Sequence, residues 1–183
     1  IKNKTFVKVL QSDKYNNDLL MGQILGFLDE NNLLLDNISH IFVNQGPGNF
    51  SSLRGSLATA KGISISKNLD LFGYDTFIWA CAKFFNKKDD VFGFIKFREK
   101  YYTKKFEKNL KSKTKIIEVS LQEIIKNYDN KVKVIPESTA KYFDEKILRL
   151  NNLNIVNLDH NQLEFLQIKG LLDEKLIKPL YLV

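Results

Sequence analysis

A mixed α/β fold is what the sequence predicts, and three observations support it. Short apolar runs typical of strands alternate along the chain with longer segments whose apolar residues recur at helical spacing. Residues 41–62 show this most clearly, with an apolar run, a glycine-rich turn and a helical pattern in immediate succession. Hydrophobic residues make up 44% of the 183 residues, enough for a core, and no apolar run approaches the ~20 residues of a membrane helix. We therefore expect one α/β domain or two small lobes.

The first half of the chain is predicted to alternate strands with helices. Strands are expected at residues 4–10, 38–43 and 69–73, and helices at 15–31, 51–67 and 76–85. The first helix has Asn16 or Asn17 as its cap, and Thr76 is expected to cap the third. The core stripe of the first helix consists of Leu20, Ile24, Phe27 and Leu28.

The second half is predicted to begin after the polar stretch at residues 86–90, which divides the chain into lobes 1–86 and 87–183. A hairpin is expected from strands 91–97 and 101–107, with a third strand at 115–119. Ser120 and Glu123 form a capping-box pattern that opens a helix ending at Tyr128. The remaining elements are strands at 132–135 and 155–158 and helices at 138–150 and 161–172, the last of which can end at Gly170.

The turn between the second strand and the second helix has two physical interpretations. It comprises Gly46, Pro47, Gly48, Asn49 and Phe50, and Ser51 or Asn49 is expected to cap the helix. Exposed N–H groups at a helix N-terminus attract anions, so the turn could cradle a phosphate. Alternatively, the glycines only permit close packing. The spacing matches neither the dinucleotide-binding nor the Walker pattern.

Positive charge is concentrated in residues 96–115. This segment contains nine basic and two acidic residues, an excess equal to the net charge of +7 of the whole chain. Four aromatic residues interleave with the charges: Phe97, Tyr101, Tyr102 and Phe106. One interpretation is a nucleic-acid surface. We favour a lysine-rich solvated hairpin whose aromatic side chains face the core.

The sequence supplies no recognisable catalytic or metal-binding set. His40 and His160 lack the spacing of paired metal ligands, and Cys81 lies in an apolar stretch that predicts a core position. The acidic pairs Asp89-Asp90 and Asp173-Glu174 are adjacent in sequence, so their side chains do not project together. A single cysteine excludes an internal disulfide and favours a reducing cytoplasm.

Residues 46–62 resemble the segment G-P-G-S-F-T-G-L-R-I-G-x-A-x-A-K-G of the TsaB (YeaZ) family. The matching positions are Gly46, Pro47, Gly48, Phe50, Leu53, Arg54, Ala58, Ala60, Lys61 and Gly62. Asn49 replaces the usual Ser, Ser52 replaces Gly, and Gly55-Ser56 replaces Ile-Gly. The related catalytic subunit TsaD carries paired metal-binding histidines on the preceding helix, and this sequence has none there.

The resemblance implies an actin-like, ribonuclease-H-like architecture of two lobes, whose first lobe lacks its N-terminal hairpin. It also implies a non-catalytic subunit, not an enzyme in its own right, that supports TsaD in threonylcarbamoyl transfer to adenosine 37 of tRNA. No cofactor is expected on this chain, because ATP and metal belong to partner subunits, including a TsaE-like ATPase. The chain is expected to contact tRNA only indirectly, through its partner subunits. It is also expected to act in the cytoplasm and not at a membrane. The alternative is a stand-alone actin-like ATPase or phosphotransferase that uses the turn from Gly46 to Gly48.

Two predicted helices carry small residues that indicate a close helix–helix contact. The first helix places Leu19, Gly22 and Gly26 together, and the second presents Arg54, Gly55, Ala58, Thr59 and Gly62. A glycine inside a helix costs about 0.5–1 kcal/mol relative to alanine, so these positions need a reason. Close packing within the subunit is one. The resemblance favours the other, an interface with a TsaD-like subunit or with a second copy in a homodimer.

Overall fold

The computed structural model describes residues 4–9, 19–112 and 114–182, which form two compact units. Unit 1 consists of the described residues within Ile1–Gly73 and Asp173–Val183, and unit 2 is Tyr74–Leu172. The division differs from the predicted lobes 1–86 and 87–183 at two places. Helix 76–81 belongs with unit 2, and the C-terminal segment returns to unit 1. No helix in the described ranges is long and apolar enough to cross a membrane.

Unit 1 is built from two helices and a two-stranded sheet. Its elements are α1 (Leu20–Glu30), a 3-10 turn (Leu35–Asn37), β1 (His40–Gly46), α2 (Phe50–Lys67) and β2 (Asp70–Asp75), whose last two residues fall in unit 2. The core cluster combines β1, α2 and the C-terminal segment through Val43, Leu57, Ala60 and Ile177.

The C-terminal segment is fastened to unit 1 by hydrogen bonds. Gly73 and Asp173 exchange two backbone bonds, each with an N to O distance of 2.8 Å. The Gln45 side chain donates its Nε2 hydrogen to the Lys178 carbonyl at 3.0 Å, and the Leu180 N–H donates to the Gln45 carbonyl at 2.7 Å. Residues 173–180 are therefore part of the unit 1 structure.

Unit 2 is a five-stranded sheet in the order β5-β4-β3-β6-β7. The β3–β4 and β4–β5 pairs are antiparallel, and the β3–β6 and β6–β7 pairs are parallel. The strands are β3 (Val91–Phe97), β4 (Lys100–Phe106), β5 (Ile117–Val119), β6 (Val132–Pro136) and β7 (Leu153–Val156). The helices are α3 (Thr76–Cys81), α4 (Leu121–Tyr128), α5 (Glu137–Ala140), α6 (Glu145–Leu148) and α7 (Asn161–Ile168), with 3-10 turns at Ala82–Phe84 and Lys108–Leu110. One core cluster consists of Phe94, Val119, Ile124, Ile135, Phe143 and Ile147.

The predicted α/β class is confirmed, as are the hairpin and the capping box. The Ser120 hydroxyl accepts from the Glu123 N–H, and the Glu123 carboxylate accepts from the Ser120 N–H. In α1 the predicted stripe faces inward, with Leu28 buried and its other members half-buried. The proposed caps Asn16 and Asn17 lie outside the described residues.

The predicted strand at residues 4–10 is wrong over its described part, residues 4–9. This segment has no regular secondary structure and no strand pairing within the described chain. Lys8 instead forms an ion pair with Glu30 at 2.6 Å, which ties the segment to the end of α1. The predicted residue Leu10 lies outside the described part of the structure.

The helix predicted at residues 138–150 is two short helices. Asp144 accepts a hydrogen bond from the Lys146 N–H at 2.8 Å and so caps α6, separating it from α5. The helix predicted at 161–172 ends at Ile168, before Gly170 with its positive φ of 65°. The cap of α3 is Asp75, which accepts from the Ile78 N–H, and not the predicted Thr76.

The remaining boundaries differ by a few residues. The regular part of the third helix ends at Cys81 and continues as a 3-10 turn, where the prediction ran to residue 85. Strands β5 and β7 occupy Ile117–Val119 and Leu153–Val156, where the predictions were 115–119 and 155–158. Such differences at the ends of elements are expected, because terminal hydrogen bonds depend on tertiary contacts.

Candidate partner-binding face and glycine turn

The glycine turn joins the end of β1 directly to α2. The Gly46–Pro47 peptide bond is cis, and Gly46 has a φ of 117°, which an L side chain rarely adopts. The Asn44 side chain accepts a hydrogen bond from the Gly46 N–H at 2.8 Å. Asn49 is the helix cap, since its side chain accepts from the Ser51 N–H at 3.0 Å. Of the two predicted caps, the structure therefore selects Asn49.

The glycines of this turn permit close packing with the C-terminal segment. A Cβ atom at Gly46 would lie 3.0 Å from the Leu180 carbonyl oxygen and 3.0 Å from the Leu53 Cδ1 atom. At Gly48 it would meet the Leu53 side chain at 3.4 Å. The 3.0 Å distances and the positive φ account for Gly46 as a packing residue, whereas the 3.4 Å contact at Gly48 is an ordinary one. The contacts of Gly46 favour the second of the two interpretations of the turn.

An exposed cluster follows the turn and links α2 to the C-terminal segment. The Phe50 and Tyr181 rings stack with centroids 5.0 Å apart, and the Arg54 guanidinium carbon lies 4.0 Å above the Phe50 ring. Arg54 also donates its Nε hydrogen to the Tyr181 hydroxyl at 3.0 Å. Tyr181 was not among the predicted site residues. The only sequence signal for it is the Pro-x-Tyr-Leu ending, which is too short to indicate this contact.

Three of the four glycines predicted to line a helical interface are exposed, and the fourth, Gly55, is half-buried. A Cβ atom at Gly22, Gly26 or Gly62 would meet no atom within 4 Å. Leu19 is 52% exposed, and Leu25 is 43% exposed. We call these positions on α1 and α2 together the glycine face. They are Leu19, Gly22, Leu25, Gly26, Arg54, Gly55, Ala58, Thr59 and Gly62, of which Gly55 and Thr59 are half-buried.

The core of α2 lies on other positions than the glycine face. Leu53, Leu57, Ala60 and Ile63 are its buried residues. Close packing against this chain's own sheet therefore does not explain Gly62. Neither does it explain Gly22 or Gly26 on α1, because none of the three has a neighbour where a Cβ would stand.

Acidic partners neutralise four of the nine basic side chains in residues 96–115. Tyr102 and Phe106 are buried in unit 2, as the solvated-hairpin interpretation predicted. The ion pairs are Lys96–Glu99 at 3.5 Å, Lys100–Glu118 at 2.9 Å, Lys104–Asp75 at 2.5 Å and Lys105–Asp90 at 2.7 Å. Hydrogen bonds to Glu118 and Asp90 raise the pKa values of Lys100 and Lys105.

The remaining polar candidates have structural roles. His40 contacts the Ser39 hydroxyl at 2.8 Å and stacks on Phe72. Cys81 is fully buried, and its burial raises the pKa of the thiol. Across the described part of the chain, no three His, Cys, Asp or Glu residues are grouped closely enough to hold a metal ion.

Comparisons with known proteins agree on the fold. Residues 12–91 match the model of the TsaD family, described as tRNA N6-adenosine threonylcarbamoyltransferase. No curated protein matches the chain. YeaZ from Pseudomonas aeruginosa is similar in structure, with a TM-score of 0.62 and 16% identity over 92% of this chain and 85% of YeaZ. An uncharacterized protein with similarity to peptidase YEAZ from Pseudomonas aeruginosa gives a TM-score of 0.60 and 15% identity, over 93% of this chain and 85% of that one.

The chain therefore has the actin-like α/β fold, in which a TsaD-like segment occupies the first half. Within that class it is a YeaZ-like, or TsaB-like, protein in its fold.

Proposed function

We propose that this chain is a non-catalytic, TsaB-like subunit that supports a TsaD-like catalytic subunit. The reaction of the complex is threonylcarbamoyl transfer to adenosine 37 of tRNA. The observation that carries the proposal is the exposed glycine face on α1 and α2, which lies within the segment that matches the TsaD family. The YeaZ-like fold supports the same role.

The glycine face has the physical properties of a helix-packing surface. Without a Cβ, two helix backbones can approach more closely than the usual 8–10 Å. Each helical glycine also destabilises the free monomer by about 0.5–1 kcal/mol relative to alanine. Since Gly22, Gly26 and Gly62 have no close internal neighbours, contacts with a second protein would offset that cost. Leu19 and Leu25 add apolar area beside them.

The glycine turn has a structural role in this proposal. It is packed against Leu180 and Leu53, which fixes the start of α2 and hence the position of the glycine face. ATP and metal chemistry then belong to the TsaD-like subunit and to a TsaE-like ATPase, and tRNA is bound mainly through those partners. A reducing cytoplasm suits the buried Cys81 thiol.

The test is to replace glycines of the glycine face by a larger residue and to measure the affinity for the TsaD-like partner. We expect Gly22→Leu and Gly62→Leu to weaken binding at least tenfold, because the added side chains hold the two proteins apart. The isolated variants should melt at the same temperature as the parent or slightly higher, since the new side chains meet no atoms of the monomer and leucine favours helix. Gln122→Leu, on the exposed surface of α4, is the matched control and should assemble normally.

Two results would contradict the proposed interface. If both glycine variants bind the partner as tightly as the parent, the interface lies elsewhere. If both variants unfold as monomers, the glycines serve internal packing. ATP hydrolysis by the isolated chain that disappears in Gly48→Val would instead support the stand-alone ATPase.

A further inference from the structure

Exposed residues recur along α2 at every third or fourth position, so they form one stripe directed away from its buried residues. We call this set the α2 stripe, which consists of Phe50, Arg54, Ala58, Lys61, Gly62 and Ile65. Phe50 is 51% exposed and Ile65 is 82% exposed, so each end of the stripe presents a large apolar side chain. Ala58 and Gly62 between them have little or no side chain, which lets a second helix approach closely.

Two aromatic neighbours hold Arg54 in one orientation on this stripe. Its guanidinium carbon lies 4.0 Å from the centroid of the Phe50 ring, and its Nε hydrogen is donated to the Tyr181 hydroxyl at 3.0 Å. The Phe50 and Tyr181 rings also stack on each other. An exposed arginine normally loses rotamer entropy when it binds a ligand, and here much of that loss has already occurred on folding. The terminal amino groups, which carry the other N–H donors, make no hydrogen bond with a described residue.

The charge of α2 has one sign only. The helix contains the cations Arg54, Lys61 and Lys67 and no acidic residue. Lys67 is paired with Asp36 at 2.7 Å, whereas neither Arg54 nor Lys61 forms an ion pair with a described residue. A guanidinium held by its Nε side presents its planar fork to a carboxylate, which accepts two parallel hydrogen bonds. The α2 stripe therefore complements an apolar surface that carries an acidic side chain.

We propose that Arg54 is the polar anchor of the glycine face and that it binds a carboxylate on an apolar helix of the partner. Phe50 and Tyr181 are its positioning residues. The partner is the TsaD-like subunit of the proposed function, on which this inference rests. Arginine is among the residues that dominate binding energy at protein interfaces, above all where neighbouring apolar groups exclude water. Phe50 at one end of the stripe and Leu19 and Leu25 on α1 are exposed apolar groups of this kind.

A second copy of this chain is the competing occupant, and the charges disfavour it. Its α2 offers no acid to Arg54. Its α1 ends with Asp29 and Glu30, of which Glu30 is already paired with Lys8 at 2.6 Å. In a symmetric contact, Asp29 of each copy would then face two cations of the other copy. A partner that supplies its own carboxylates has no such imbalance.

The experiment measures the association and dissociation rates of the full chain on the immobilised TsaD-like subunit by biolayer interferometry. Arg54→Gln removes the charge and keeps a polar side chain, and Arg54→Lys keeps the charge without the planar fork. Arg149→Gln is the matched control, because Arg149 is an exposed arginine of unit 2. The melting temperature of each isolated variant is measured alongside.

We expect Arg54→Gln to raise the dissociation rate about thirtyfold and to leave the association rate within about threefold of the parent. The reason is that truncating one partner of a buried charge pair acts mainly on dissociation. Arg54→Lys should recover only a small part of the loss, and Arg149→Gln should behave as the parent. The melting temperature of Arg54→Gln should fall by no more than about 5 °C, since an exposed cation–π contact contributes little to stability.

Three results would overturn the proposed anchor. A change in the association rate alone, restored by Arg54→Lys, would show that Arg54 only steers the partner by its charge. Unchanged binding by Arg54→Gln would remove the anchor. The proposed function would still stand if Gly22→Leu and Gly62→Leu weaken binding, and it would fail with the anchor if they do not. A dimer of the isolated chain in sedimentation experiments that Arg54→Gln dissociates would identify the occupant as a second copy.

Discussion

Lys133 is the buried charge of unit 2, and replacing it by methionine tests how the sheet holds α4. Its side chain is 0% exposed on β6. The ammonium group donates to three carbonyls at and beyond the end of α4, those of Tyr128 at 2.6 Å, Asp129 at 2.7 Å and Lys131 at 2.9 Å. Tyr128 is the last residue of α4, and Asp129 is its C-cap. Lys131, whose N–H also donates to the Tyr128 carbonyl at 3.0 Å, lies in the loop that follows. Lys133 therefore joins the end of α4 and the next loop to the sheet.

The expected loss follows from these bonds and from the cost of burying the charge. A hydrogen bond to a charged group contributes about 1.5–3 kcal/mol, so three bonds represent several kcal/mol. Burial lowers the pKa of the Lys133 ammonium, with the nearby Asp129 opposing the shift, so desolvation offsets part of that gain. We expect Lys133→Met to reduce the free energy of unfolding by about 2–4 kcal/mol, because methionine fills the space but removes the three hydrogen bonds to the carbonyls.

Tryptophan fluorescence during urea unfolding is the assay. Trp79 is the single tryptophan of the chain, and its indole donates to the Asp159 carbonyl inside unit 2, so it reports on this unit. The urea midpoint should fall by about 1–3 M, given typical slopes for small proteins. Lys126→Met, at an exposed position on α4, is the control and should change little. An unchanged midpoint for Lys133→Met would refute this role of Lys133.

Two further predictions concern Tyr74 and Cys81. Burial raises the pKa of Tyr74 to about 12 from 10.0, so between these values the unfolded chain releases a proton that the folded chain keeps. Stability should therefore be unaffected below pH 10 and fall by about 2–3 kcal/mol as the pH rises to 12, and Tyr74→Phe should lack this part of the loss in urea titrations. A parent and variant with the same pH profile would contradict this. The buried Cys81 thiol, whose pKa is also raised by burial, should react with Ellman's reagent only after denaturation, and rapid labelling of the native protein would show that the site opens.

Local signals in the sequence predicted those elements whose hydrogen bonds are also local. The strand, turn and helix from residue 40 to 67 follow from an apolar run, two glycines and an asparagine cap. The capping box at Ser120 is likewise contained in four residues. The strand expected at residues 4–10 failed because apolar alternation predicts a strand only where a neighbouring strand is present.

The parts of the candidate sites that could not be predicted depend on distant contacts. Whether there is free space beside Gly22 and Gly62 depends on how α1 and α2 pack. The sequence alone does not give the distances between packed helices. The Asn49 cap illustrates the intermediate case. Both Asn49 and Ser51 were candidates, and only the geometry of the turn selects between them.

The return of the C-terminal segment to unit 1 has a consequence for biosynthesis. Ile177 completes a core whose other members, Val43, Leu57 and Ala60, are translated more than a hundred residues earlier. Unit 2 is encoded between them as one continuous stretch, so it can fold on the ribosome while unit 1 still lacks its last core residue. Closing so long a loop is also entropically costly. Unit 1 is therefore begun before unit 2 and completed after it, and it would be the unit more in need of chaperone protection during synthesis.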